Sequence, residues 1–174
     1  MPTIIAHAVV PLALAVAMGR KQIPASVAVA GMLLAMLPDA DVAGFALGIN
    51  YAAEWGHRGA SHSLALSAVV AGGVSLCWRT ARSIAAFAFL AVAMASHGLL
   101  DMATDGGLGV ALFWPVDEAR YFWPITPVRV SPIGAGFFSA RGADTLLSEL
   151  KWIILPGLLA AFGWRAICRR RLET

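Results

Sequence analysis

Ser83–Leu100 reads SIAAFAFLAVAMASHGLL, an apolar run without formal charge that carries His97 near its end and is followed directly by Asp101. A hydrocarbon core of roughly 30 Å needs about 17–25 such residues in one helix. The stretch therefore reads as a transmembrane helix whose last turn is polar. The same signature occurs in Met1–Gly19, Gln22–Pro38, Gly59–Trp78 and Trp152–Trp164, giving five expected spans. The last is the shortest and requires Lys151 and Arg165 to snorkel to opposite interfaces.

Composition agrees with the bilayer as solvent. The 174 residues are 59% hydrophobic and 13% charged, with mean hydropathy +0.75, whereas soluble domains carry about 25% charged residues. The expectation is an all-α, polytopic bundle forming one integral membrane domain over residues 1–174. A short apolar patch, Gly107–Pro115, followed by RYFWP, reads as a re-entrant or interfacial segment. The net charge of +3 comes from clusters between spans, Arg20-Lys21, Arg79 with Arg82, and Arg165 with Arg169–Arg171. Such charge is topogenic, not a nucleic-acid stripe. It predicts the N-terminus outside and the C-terminus in the cytoplasm. Cys77 and Cys168 then fall in a reducing compartment and are expected as buried small hydrophobes.

That orientation gathers the ionisable residues at the non-cytoplasmic face. His7 lies near the outer end of the first span, Asp39 and Asp41 in LPDAD at the end of the second, His57 and His62 in HRGASHS at the start of the third, and His97 and Asp101 at the end of the fourth. Residues four apart on a helix are neighbours, about 5–6 Å between Cβ atoms, so His97 and Asp101 can reach one ion. Pro38 is expected to end the second helix, leaving Asp39 and Asp41 on an extended segment that points both carboxylates the same way. Imidazole and carboxylate together suit a divalent metal, zinc first and manganese second, as one or two ions. Glu149, at the outer entrance of the fifth span, is a further candidate, although a helix N-terminus favours Glu without any metal. Each residue also has a plainer reading: His7 at the interface, the two aspartates as caps, His62 as a hydrogen-bonded core histidine, His97–Asp101 as a pair without metal. Asp105, Asp117, Glu118 and Asp144 read as loop or cap residues.

The motifs HRGASHSL, SHGLLDMATDGG followed by VALFWP, LPDADV and the early His7 resemble the YdjM-like family of inner-membrane metal-dependent hydrolases, over nearly the whole chain. That family is distantly similar to the zinc-dependent phospholipase C and P1 nuclease group. The resemblance implies a helical membrane hydrolase with ligands at His7, Asp39, Asp41, His57, His62, His97 and Asp101. The chain departs from the pattern in having DGG after Thr104. The expected chemistry is hydrolysis by metal-activated water, with Asp39 or Asp41 taking the proton and Arg58 holding developing negative charge; Arg120, Arg129 and Arg141 are candidates for phosphate or headgroup contacts. A phosphoester of a lipid or lipid-linked molecule is the expected substrate. The rivals are a metal or proton transporter and a non-catalytic protein with a structural metal clamp.

Overall fold

The computed structural model describes residues 1–132 and 134–173, with side chains at all of these but 134, 135 and 169–173. The side chains of the Arg169–Arg171 cluster lie outside the described residues. The architecture is all-helical, with isolated bridges and no strand among the described residues.

Helix α1 spans Ile4–Met18. Thr3 caps it by accepting the Ala6 amide on its side chain, and Gly19, at φ 80°, ends it. Helix α2 spans Ala25–Met36. The chain then tightens into a 3-10 segment, Leu37–Leu47, instead of becoming extended, because Pro38 sits in its first turn, where a missing N–H costs nothing. The α-helix thus ends before Pro38 as expected, and what is corrected is the extended segment expected after it. On a 3-10 turn, residues two apart point in different directions, so Asp39 and Asp41 do not aim together.

Helices α3 (Leu64–Cys77) and α4 (Ile84–Asp101) are both capped by serines, Ser63 and Ser83, that accept from the third following amide. The chain's last helical run begins earlier than expected. Helix α5 (Ala140–Glu149) passes through a π turn (Leu150–Ile154) into α6 (Leu155–Glu173). Arg165, expected to snorkel, donates from Nη1 to the Val16 carbonyl at 3.0 Å and so ties α6 to α1.

By length and composition, Ala25–Leu47, Ile84–Asp101 and Ala140–Cys168 can each cross a membrane; α1 and α3 are apolar but shorter. Helix α1 packs on α2, α4 and α6, and α4 also takes α2 and α3. Ile23, just before α2, and Val27 and Leu34 of α2 meet Ala86, Phe89, Leu90 and Met94 of α4 in an apolar core. The 107–115 patch is irregular. Its Val110, Ala111 and Leu112 are buried, the Leu64 amide donates to the Leu112 carbonyl, and the Ala111 amide donates to that of Arg58. It thus seals the ends of α3 and α4. Contrary to expectation Cys77 is exposed and Cys168 half-buried; both are free thiols.

Candidate metal centre

Above the apolar core the interior changes character. On α4, His97 and Asp101 follow Met94 on the buried face, and all three are within a few per cent of complete burial. His97 Nδ1 lies 2.7 Å from the Ala35 carbonyl of α2. A carbonyl can only accept, so the ring's proton is on Nδ1 and Nε2 presents a lone pair inward. That atom is 3.3 Å from Asp39 Oδ1 and 3.0 Å from His62 Nε2. His62 Nε2 is in turn 3.8 Å from Asp39 Oδ1 and 3.6 Å from Asp101 Oδ2. One ligand atom from each of Asp39, His62, His97 and Asp101 falls within 4.8 Å of the other three. His7, from α1, stacks its ring on His97 at 3.7 Å between centroids, with Nε2 3.7 Å from Asp101 Oδ1.

The buried atoms here are unsatisfied. Both carboxylate oxygens of Asp39, both of Asp101 and both ring nitrogens of His7 lack a hydrogen-bond partner. Buried polar groups are ordinarily paired, and an unpaired buried charge is strongly unfavourable. Converging imidazole nitrogens and carboxylate oxygens without donors are the donor set of a divalent cation, so these residues fit one.

A second group lies behind His62. Asp41 Oδ1 is 2.7 Å from His57 Nδ1, Ser61 Oγ donates to Asp41 Oδ2 at 2.6 Å, and His62 Nδ1 is 2.9 Å from Ser61 Oγ. Ligand atoms of Asp41, His57 and His62 also lie close enough to hold an ion. The structure thus brings together His7, Asp39, Asp41, His57, His62, His97 and Asp101.

It does not bring Glu149 to them. The Glu149 carboxylate accepts from the Thr3 amide and, at 2.6 Å, from the Thr3 hydroxyl. Arg58 is adjacent to the centre and turns inward to Asp101. It is fully buried, with Nε 2.9 Å from Asp101 Oδ2, Nη1 donating to the Gly106 carbonyl and Nη2 to Thr104 Oγ1. Its backbone adopts φ 64°, a conformation costing a non-glycine residue roughly 1–2 kcal/mol. That turn sends His57 towards Asp41 while Arg58 goes to Asp101. The geometry pairs Arg58 with Asp101, whose charge it offsets.

The other arginines are also engaged. Arg120 donates to the carbonyls of His57, Ala53 and Tyr51, fastening the 51–57 loop, and burial lowers its pKa. Arg129 pairs with Asp105, which also accepts the Val130 amide at 2.8 Å. Burial opposes charge on Asp105, yet these two donors hold its pKa below the ordinary value. Arg141 lines a surface cleft with Arg129, Asp105, Asp144 and Ser148.

Sequence reading passed over Ser61, Thr104 and Gly98. Gly98 is needed because a Cβ there would stand 2.5 Å from the His62 carbonyl. Its signal was only its place beside His97.

Fold and site define a helical membrane protein with a buried histidine–aspartate cluster able to hold a metal ion. The chain belongs to the YdjM inner membrane protein family, whose model matches residues 1–171. It is 42% identical to inner membrane protein YbcI of Escherichia coli (strain K12), over 95% of this chain and 99% of that protein. No solved structure matches.

Proposed function

We propose that this inner-membrane protein is a metal-dependent hydrolase acting on a phosphoester of a lipid or lipid-linked molecule. The observation that carries the reading is the unsatisfied quartet Asp39, His62, His97 and Asp101, fully or almost fully buried and aimed at one point. Asp39, His62, His97 and Asp101 would hold a divalent ion, zinc by their His/Asp set, and the chemistry it would supply there is the activation of water at neutral pH. The chain's own part is to hold the donors in fixed tautomers and, at Asp39 or Asp41, to accept the remaining proton.

The substrate class is supported by where the quartet opens. Asp39 alone among the four keeps some side-chain exposure, 10%. Along its 3-10 segment, residues three apart share a face, and the next two, Val42 and Phe45, are apolar and about 40% exposed. An approach along an apolar stripe suits a molecule with acyl or isoprenoid character. A transporter would need polar groups continuing below the site, where α2 and α4 instead close on Leu34, Phe89, Leu90 and Met94. The basic clusters at Arg20-Lys21 and Arg79 with Arg82 favour an N-out orientation with the centre on the non-cytoplasmic face.

The test is metal analysis of the purified protein together with assays of phosphomonoester and phosphodiester release from lipid substrates, for wild type and His97→Ala. The expected result is bound metal and turnover in wild type and neither in the variant. Metal-free wild type with normal helicity would overturn the reading. For orientation, Ala40→Cys should label from outside and Thr80→Cys should not.

A further inference from the structure

We infer that the seven histidines and aspartates make one metal centre and not two: Asp39, His62, His97 and Asp101 hold a single divalent ion, while Asp41, Ser61 and His57 form a hydrogen-bonded shell that fixes His62. The inference rests on the metal-binding part of the proposed function and divides its residues into ligands and positioning residues.

The distances separate the two groups. Ligands on a tetrahedral ion at about 2.0–2.1 Å lie roughly 3.3 Å from one another. In the quartet four of the six separations are 3.0, 3.3, 3.6 and 3.8 Å, close to that edge, and the other two are within 4.8 Å. Around Asp41 the contacts to Ser61 Oγ and His57 Nδ1 are 2.6 and 2.7 Å, ordinary hydrogen-bond length and too short for two donors sharing an ion; His62 Nδ1, 3.3 Å from Asp41 Oδ2, is already paired with Ser61 Oγ at 2.9 Å.

Proton accounting separates them again. The Ser61 hydroxyl has one hydrogen and donates it to Asp41 Oδ2. Its oxygen, 2.9 Å from His62 Nδ1, can then only accept, which puts the His62 proton on Nδ1. His62 Nε2 is therefore a lone pair, and it faces the His97 Nε2 lone pair at 3.0 Å with the Asp39 and Asp101 carboxylates beside them. Four acceptors meet with no proton among them, and a cation is what reconciles them. In the outer group every contact already pairs a donor with an acceptor. Asp41 and Ser61 thus stand to His62 as the Ala35 carbonyl stands to His97, the outer contact that commonly orients a metal-bound imidazole.

Charge gives the same count. Asp39, Asp41 and Asp101 carry three negative charges, and the buried Arg58 guanidinium offsets one. One divalent ion neutralises the remainder, whereas a second would leave an excess of two positive charges in a low-dielectric interior.

The test is elemental analysis of the full chain in detergent after dialysis against zinc and then buffer, paired with a zinc-competition titration. Circular dichroism and gel filtration check folding. Wild type should hold one ion per chain. Asp39→Ala and His97→Ala should hold none, while His57→Gln, Ser61→Ala and Asp41→Asn should keep one ion with affinity lowered about 10–100-fold, the usual effect of losing an outer contact. Two ions in wild type, falling to one in His57→Gln, would overturn the inference and leave the hydrolase reading intact. One ion without turnover on any phosphoester would sink the hydrolase reading and leave the inference standing. Zinc-free wild type would overturn both.

Discussion

The two ends of α4 are equally buried and differ in everything else. Towards the start, Ala86, Phe89 and Leu90 are at most 3% exposed and lie in the apolar core cluster; at the end, His97 and Asp101 are at 0%. Burial by itself therefore does not distinguish a packed core from a site. The difference is in unmet demand. The apolar end packs in a hydrophobic cluster, and the polar end has carboxylate oxygens without a hydrogen-bond partner, one of them facing Arg58 as an ion pair. The first end specifies the bundle, and the second specifies what the bundle has to bind.

That contrast can be broken most sharply by removing metal. Chelation should lower the thermal midpoint of wild type and leave His97→Ala unmoved, since a ligand at about 1,000 times its Kd stabilises by about 4 kcal/mol; equal midpoints with and without chelator would erase the distinction between the two ends. Next in size is Leu90→Ala at the apolar end. Large-to-small core changes cost about 2–5 kcal/mol, and in lipid the packing part dominates, so a loss near the lower bound is expected in a denaturant titration, with metal stoichiometry unchanged. Loss of the ion in this variant would show that the ends are not independent.

Gly98→Ala sits between them. A methyl group 2.5 Å from the His62 carbonyl must push the 60–62 turn away from α4, at an overpacking cost of about 1–3 kcal/mol. Metal affinity should fall by more than helicity does, which competition titration and circular dichroism can separate. The smallest effect is at Asp105. Its pKa is held below the ordinary value, through the Val130 amide and Arg129 against the opposing effect of burial, so its contribution is present above the unfolded pKa of about 3.9 and is lost as pH falls through the folded one. Hydrogen exchange of the 128–132 stretch should rise on acidification below about pH 4 in wild type and show no such step in Asp105→Asn.

Much of this was legible before any coordinates. Apolar runs gave the helices, and the spacing of His97 and Asp101 put both on the buried face of α4. What was not legible depends on backbone detail. Pro38 reads as a helix breaker, yet at the first turn of a 3-10 segment it costs nothing, and the tighter winding sends Asp39 to His97 and Asp41 to His57. Arg58 beside His57 reads as a free cation; only its left-handed backbone reveals that it turns inward to Asp101. Glu149 shares the polar character of the cluster, but its partner Thr3 is 146 residues away in sequence, a distance no local pattern spans. Ser61, between a glycine-rich turn and His62, carries no signal of its own because its role is set by Asp41 across the fold.

The Thr3–Glu149 contact also bears on how the protein is made. His7 is the first residue of the centre to leave the ribosome, and it sits one turn beyond Thr3 on α1. Thr3 is gripped by Glu149, and Val16 by Arg165, from helices made after every residue of the cluster. Helix α1, which carries His7, therefore gains these two anchors only after α5 and α6 have been made, later than Asp101, so the hold on His7's helix is the last part of the centre's support to form.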